Sequence, residues 1–375
     1  MPKIIHAADI HLDAPFSLFD VQKAQVRKNE LRGAFTSMIL YAKTEKADMV
    51  IISGDLFDSG FATKETMSLI ISQFASLPEC KFVIVPGNHD PITPRSPYKK
   101  EVFPPNVFIF EDEKITKFSF DDIGVDIYGF AFTSETYTEN PLVSIQSLDR
   151  HKINILAIHT DLYSKSTCCP LTPADIGRHG FDYVAMGHIH KGGEIMQYGS
   201  TYYAYSGCLE GRSFDECGIK GVILCNLEKN AGRLTASFAN KRICRRHYEK
   251  LTVDITGVST SEALCERVKA AVTAAGFGSD TLLRVRLTGR ISPEAPVSEK
   301  VLTENILGVY YLEVDNVSLP LLDYENLKND ISIRGAFFRE LLPLLESEDE
   351  AQRKTAADAL RYGLAALDGG DVVDF

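Results

Sequence analysis

Five apolar, β-type runs in this 375-residue chain each break off in side chains able to bind a metal ion. The first, Lys3 to Ala8, is followed by Asp9-Ile10-His11. The second, Asp48 to Ser53, is followed by Gly54-Asp55-Leu56-Phe57-Asp58. The third, Lys81 to Val85, turns at Pro86-Gly87 into Asn88-His89-Asp90. The fourth, Ile153 to Ile158, ends in His159, and the fifth, Tyr183 to Met186, in Gly187-His188-Ile189-His190. Pro and Gly punctuate a strand and turn the following residues out at its carboxyl edge. In open α/β sheets that edge is where ligands bind. Five of the nine histidines fall in these blocks, more than an even scatter along the chain would place there.

Between the first three runs the apolar spacing is helical. Leu31, Phe35, Met38, Ile39 and Ala42 mark a helix from about Gln22 to Lys46, and Met67, Ile70, Ile71 and Phe74 a second from Thr63 to Ala75. The strand–helix–strand–helix–strand order predicts parallel pairing through right-handed crossovers. Strands at Tyr202–Tyr205, Gly221–Asn226 and Leu234–Phe238 predict a second, more antiparallel sheet. Near Arg245 the pattern changes to a small α+β unit, and from Tyr324 onward it is helical, with Leu360, Leu364 and Leu367 on one stripe. The expected domains are therefore a catalytic domain over 1–244, a cap over 245–320 and a helical segment over 321–375.

The chemistry of the five edges favours a pair of divalent cations. Two ions a few ångströms apart need a shared carboxylate between them and neutral imidazoles around them. Asp55 is the natural bridge. Asp9, His11 and His190 can hold one ion; Asn88, His159 and His188 can hold the other, Asn88 through its carbonyl oxygen. A mixed oxygen and nitrogen set without thiolate suits Mn²⁺, Fe²⁺ or Zn²⁺ better than Ca²⁺ or Mg²⁺. Each pair alone reads as a strand-end cap, but chance would have to repeat at all five edges. His6, His151, His179 and His247 lack that context and read as packing or surface residues.

Composition narrows the class. A net charge of −11 and a pI near 5.4 argue against a free-standing nucleic-acid binder, which shows a basic footprint. Bound cations and a partner's surface can offset that charge. The eight cysteines form no C-x-x-C pair, so neither a zinc ribbon nor a redox motif is indicated. No signal-peptide pattern opens the chain and no apolar run is long enough for a bilayer, so the expectation is a cytoplasmic protein without a membrane partner.

In Ala7-Ala8-Asp9-Ile10-His11-Leu12-Asp13, Gly54-Asp55-Leu56-Phe57-Asp58 and Gly187-His188-Ile189-His190 the sequence resembles the calcineurin-like metallophosphoesterases, and within them the SbcD/YhaO-type DNA-repair exonucleases. Gly207-Cys208-Leu209-Glu210-Gly211-Arg212 and Lys220-Gly221-Val222 look more like the YhaO side of that group. The resemblance covers residues 1 to about 240 and is only architectural beyond 245. It implies a four-layer α/β/β/α sandwich with a small α+β cap and a C-terminal helical segment. It also implies cleavage of phosphodiester bonds in DNA, commonly with Mn²⁺, and helices that dock on an SbcC-like coiled-coil ATPase; a homodimer is compatible with it. By position its metal ligands fall on Asp9, His11, Asp55, Asn88, His159, His188 and His190, and its catalytic histidine on His89, with Asp90 adjacent to orient that ring. Some relatives carry a second histidine where Asp58 stands, which bears on the balance of exonuclease and endonuclease action. Asp58 and the basic loop carrying Arg95, Lys99 and Lys100 are the candidates for touching substrate, and the Lys241–Arg246 run reads either as a phosphate contact or as a solvated hinge. Two other readings stand beside the nuclease: a small-molecule phosphodiesterase or phosphomonoesterase on the same site, and a non-catalytic scaffold that recruits the ATPase.

Overall fold

The protein is described by a computed structural model over residues 1–145, 148–162, 166–292, 297–321 and 324–367. Strands β1 (Lys3–Ala7), β2 (Met49–Ser53) and β3 (Lys81–Val85) pair in parallel, with Ala7 opposite Ile52 and Ser53 opposite Val85. Helices α1 (Val21–Glu45) and α2 (Lys64–Ala75) make the crossovers. Asp20 caps α1 by accepting the Lys23 amide at 2.9 Å, and Thr63 caps α2, so both starts carry the short polar side chain that an orphan helical N–H needs. A short α3 (Pro97–Lys100) leads to β4 (Val107–Ile109), which extends the sheet beside β3.

A second sheet follows. It contains β5 (Thr116–Phe120), β6 (Val125–Gly129) and β7 (Ile153–His159). After two short strands, β8 (Asp161–Leu162) and β9 (Pro170–Leu171), and helix α4 (Pro173–Arg178) come β10 (Tyr183–Gly187), β11 (Met196–Tyr198) and β12 (Thr201–Tyr205). The hairpin β13 (Gly221–Asn230) and β14 (Arg233–Arg242) closes this part of the chain. The strand orders are β14-β13-β1-β2-β3-β4 and β11-β12-β10-β7-β6-β5. This corrects the expectation of a more antiparallel second sheet. Its four inner strands β12, β10, β7 and β6 are parallel, and only the edges β5 and β11 run the other way. The β13–β14 hairpin joins the first sheet instead, antiparallel to β1 with Ile5 opposite Leu224. A hairpin's own alternation fixes which residues face inward but not which open edge it covers.

Alternation along the strands builds the layers. Ile4, Met49, Ile51, Val83 and Val85 pack against Ile127, Ile155, Ala157, Tyr183 and Ala185 of the second sheet. The intervening Ile5, Val50, Ile52, Phe82 and Ile84 pack under Leu31, Phe35, Met38, Ile70 and Phe74 of the helices. On the far side Leu156, Ile158, Val184 and Met186 meet Ile176 and Phe181. The result is an α/β/β/α sandwich.

The chain divides into two compact units, Met1–His247 and Tyr248–Phe375. In the second, β15 (His247–Asp254), β16 (Thr281–Thr288), the short β17 (Arg290–Ile291) and β18 (Tyr311–Asn316) are joined by α5 (Ser261–Ala274) and α6 (Glu299–Asn305). Leu264, Val268, Leu283, Val285 and Leu302 form their core. After β19 (Leu319–Pro320), helices α7 (Tyr324–Asn329), α8 (Ile333–Leu345) and α9 (Glu350–Leu367) pack around Leu327, Phe338, Leu360 and Leu364. Among the described residues no helix is long and apolar enough to cross a membrane.

The two sheets come into close contact at the carboxyl ends of their central strands. At Gly187 a Cβ would overlap the carbonyl oxygen of Ser53, and at Gly54, whose φ is +99°, it would overlap the His159 ring. Gly187→Ala is expected to destabilise the protein by about 1–3 kcal/mol, the usual cost of overpacking. Urea unfolding of the metal-free protein checks this, and an unchanged midpoint would contradict the close approach.

Candidate metal centre

The first two strand ends stay paired beyond the sheet. Asp9 donates its amide to the Gly54 carbonyl at 3.0 Å, and His11 to that of Asp55 at 2.9 Å. Asp9, His11, Asp55 and His188 all have left-handed backbones, with φ of 50°, 49°, 54° and 102°. Such conformations cost non-glycine residues on the order of 1–3 kcal/mol each and persist where the surroundings over-determine them, most often at functional sites.

The loops bring the candidate ligands of both sheets together. Asp9, His11 and His190 each offer an atom within 4.8 Å of the others, as do Asp9, Asp55 and His159. Asp55 Oδ2 lies 3.6 Å from His11 Nε2 and 3.4 Å from His159 Nε2, between the two sets. Asn88 Oδ1 is 2.8 Å from His159 Nε2. His190 Nε2 is 3.9 Å from Asp9 Oδ1 and 3.2 Å from His11 Nε2. His188 donates its amide to the Asp9 carboxylate at 3.0 and 3.2 Å, and its ring stands edge-on to His159 with centroids 5.2 Å apart.

The donor atoms fit cations. The Ser53 carbonyl, 3.1 Å from His159 Nδ1, accepts that nitrogen's proton, as Glu216 does for His190 at 2.8 Å. A neutral ring so held presents a lone pair at Nε2. Both lone pairs then face oxygen acceptors or another imidazole, a conflict that a cation between them removes. His11 Nδ1 is a buried nitrogen without a hydrogen bond, 3.2 Å from Asp58 Oδ1. Among the described residues the clustered donors are carboxylate oxygens and imidazole nitrogens, without sulfur.

Burial sets the protonation states. It pushes Asp9 up to about 7, with the Asp55 charge adding to the rise and His190 opposing it. It raises Asp55 as well. Burial lowers His159 and His188 to about 4 each and His11 well below its ordinary value, so these rings are neutral, ligand-competent imidazoles near pH 7. At His190 burial pulls downward, but the Glu216 hydrogen bond and the Asp9 charge outweigh it and the net direction is up.

The remaining candidates divide. His89 is exposed at the rim. Its amide donates to Asp55 Oδ1 at 3.0 Å, its Nδ1 donates to the Asp58 carbonyl at 3.2 Å, and its ring centroid is 4.8 Å from that of His11. Asp90 does not reach the His89 ring. Its buried carboxylate accepts the Gly87 amide at 2.7 Å, the Phe57 amide at 3.1 Å and the Tyr98 hydroxyl at 2.5 Å, so it holds the turn from beneath rather than orienting the imidazole. A carboxylate in a dry interior collects the nearest N–H and O–H donors, and here these are backbone and tyrosine. Arg95, Lys99 and Lys100 are exposed, and none contacts the clustered side chains among the described residues. Lys99 is paired with Glu111 at 2.5 Å. Two residues at the cluster had no role assigned from sequence. Glu216 holds His190, and Arg212 binds both Glu216 and Asp58. Arg212 lies in a segment that resembles the YhaO type, whereas nothing around Ser213-Phe214-Asp215-Glu216 singles out the glutamate.

Residues 2–192, just over half of the chain, match the pattern of the calcineurin-like phosphoesterases. The chain belongs to that family. The phosphoesterase is 27% identical to the metallophosphoesterase YhaO of Bacillus subtilis strain 168, over 84% of this chain and 74% of that protein. It is 24% identical to a subunit of the SbcCD nuclease of Staphylococcus epidermidis, over 61% of this chain and 67% of that protein. It is 27% identical to the DNA double-strand break repair protein Mre11 of Saccharolobus solfataricus, over 55% of this chain and 54% of that protein.

Asp9 keeps its proton up to about pH 7 in the metal-free phosphoesterase, so a cation bound below that pH must displace it. His190, also raised, acts in the same direction. Mn²⁺ affinity is expected to climb with pH and to flatten above about 7, with proton release on binding. Calorimetric titrations in buffers of different ionisation enthalpy check this; a pH-independent affinity would contradict it.

Proposed function

We propose that this phosphoesterase is a two-metal DNA nuclease of the SbcD/YhaO type, using Mn²⁺ in preference to Fe²⁺ or Zn²⁺. The observation that carries the reading is the Asp55 carboxylate, within 3.6 Å of an imidazole from each set of ligands. Asp9, His11 and His190 would hold one ion, and Asn88, His159 and His188 the other. A pair of such ions acidifies water and neutralises the charge that builds on a phosphate.

The chain's own groups supply the rest. His89 follows Asn88 on one turn, and its Nδ1 proton is occupied by the Asp58 carbonyl at 3.2 Å. Nε2 is then the nitrogen presented at the rim, where it can carry a proton to the departing oxygen. Asp90 contributes through the backbone, since its carboxylate ties the amides of Gly87 and Phe57, and so the turns after the second and third strands, to one another.

Two relatives support DNA as the substrate by their names: a component of the SbcCD nuclease and a double-strand break repair protein. A relative that is one part of a larger nuclease also supports a partner, read here as a coiled-coil ATPase docked by residues 321–375. Residues 1–244 then form the nuclease and 245–320 a cap, in a cytoplasmic assembly. The net charge of −11 favours the second reading, a small-molecule phosphodiesterase on the same site.

Linear duplex DNA and bis-p-nitrophenyl phosphate, assayed side by side with Mn²⁺, separate the two. The nuclease degrades both, and a protein that turns over only the small ester is the alternative enzyme. His89→Ala is expected to lower turnover about 10²–10⁴-fold, the usual contribution of a proton-transfer group, with Mn²⁺ binding retained. Loss of metal from that variant would contradict the assigned role.

A further inference from the structure

Both imidazoles on the Asp9 side of the cluster have their outer ring nitrogen against a carboxylate. His190 Nδ1 is hydrogen-bonded to Glu216 Oε1 at 2.8 Å, and His11 Nδ1 lies 3.2 Å from Asp58 Oδ1 in a contact without hydrogen-bond geometry. One guanidinium joins the two carboxylates. Arg212 Nη1 donates to Asp58 Oδ1 at 2.8 Å, while Nη2 and Nε donate to Glu216 Oε1 at 3.0 and 3.2 Å. The Arg212 amide donates to the other Glu216 oxygen at 2.8 Å. The side chains of Arg212 and Glu216 are 20% and 10% exposed, so water screens this lattice little. On the other side of Asp55, His159 leans on a neutral group, the Ser53 carbonyl, at 3.1 Å.

We infer that Arg212, acting through Glu216 and Asp58, is a positioning residue for the ion held by Asp9, His11 and His190, and that the ion beside His159 does not depend on it. The inference rests on the reading of this cluster as a two-ion site. The geometry supplies the reason. A metal-bound imidazole is oriented by the partner of its other nitrogen, and two imidazoles must be oriented together for their Nε2 atoms to meet at one point. The planar fork of a guanidinium fixes the angle between two carboxylates, which a lysine ammonium cannot do. Without Arg212 the two acidic groups repel and leave the rings free to turn.

The test uses the full chain, stripped of metal and titrated with manganese(II) chloride, with calorimetry and electron paramagnetic resonance as readouts. The wild-type protein is expected to bind two ions and to show the signal of a spin-coupled pair. In Arg212→Ala one ion is expected to bind about 10–100-fold more weakly while the other keeps its affinity, as for the loss of a group that orients a ligand. The coupled signal then gives way to that of an isolated ion at one equivalent. Glu216→Ala is expected to show the same pattern, and Arg212→Lys, which keeps the charge without the fork, an intermediate one. Circular dichroism melts of the metal-free variants report folding, and Glu216→Ala and Arg212→Lys carry the test should Arg212→Ala fail to fold. Two ions at wild-type affinity with the coupled signal in a folded alanine variant would overturn the inference, as would equal weakening of both ions. A wild-type protein that takes up no manganese would overturn the two-ion reading itself, and this inference with it.

Discussion

Asp9 and Asp55 are carboxylates buried side by side, and the cleft is arranged around the cost of keeping them there. Removing a carboxylate from water is expensive unless a cation or several donors compensate it. Asp9 receives the His188 amide, which lies on the opposite sheet, and Asp55 receives that of His89. These bonds are not enough to hold the Asp9 proton off below about 7. The His11, His159 and His188 imidazoles are kept neutral by the same burial, so they cannot act as the missing positive charge near pH 7, and the His190 ring, shifted upward, already answers to Glu216. What remains is a set of lone pairs and negative oxygens around small gaps, electrostatically unfavourable alone and favourable around cations. Their cost is met elsewhere in the fold, by the large apolar core between the two sheets.

The architecture makes that convergence possible. Both sheets present the carboxyl ends of parallel strands on the same side, and loops leave those ends at once, without an intervening turn of helix. Close approach then depends on missing side chains at Gly54 and Gly187, and on left-handed backbones at four of the candidate ligands. Function therefore comes from the edges, while the strands behind them carry stability.

Much of this was legible in the sequence because it is local. Strand runs, their polar ends and the helices between them are written in consecutive residues, and β1, β2, β3, α1 and α2 lie within a residue or two of where the apolar spacing places them. Partners distant in sequence were not legible. The hairpin over residues 221–242 could have covered either sheet, and only tertiary packing assigns it to β1. Asp90 sits beside His89 in sequence, yet its carboxylate turns the other way, toward the Tyr98 hydroxyl. Lys99 reads as a free cation until Glu111 is brought to it. Glu216 carries no motif at all, and its place beside His190 depends on a loop that has no regular structure to predict.

On the two-ion reading, side chains drawn from five strand ends of two sheets hold a pair of divalent cations that share Asp55. Anomalous diffraction at the manganese edge, from crystals soaked in manganese(II) chloride, tests it most directly. The account predicts two peaks a few ångströms apart, one on each side of the Asp55 carboxylate, the first ligated by His11 and the second by His159. No anomalous peak in the cleft, or a single peak away from Asp55, would contradict it.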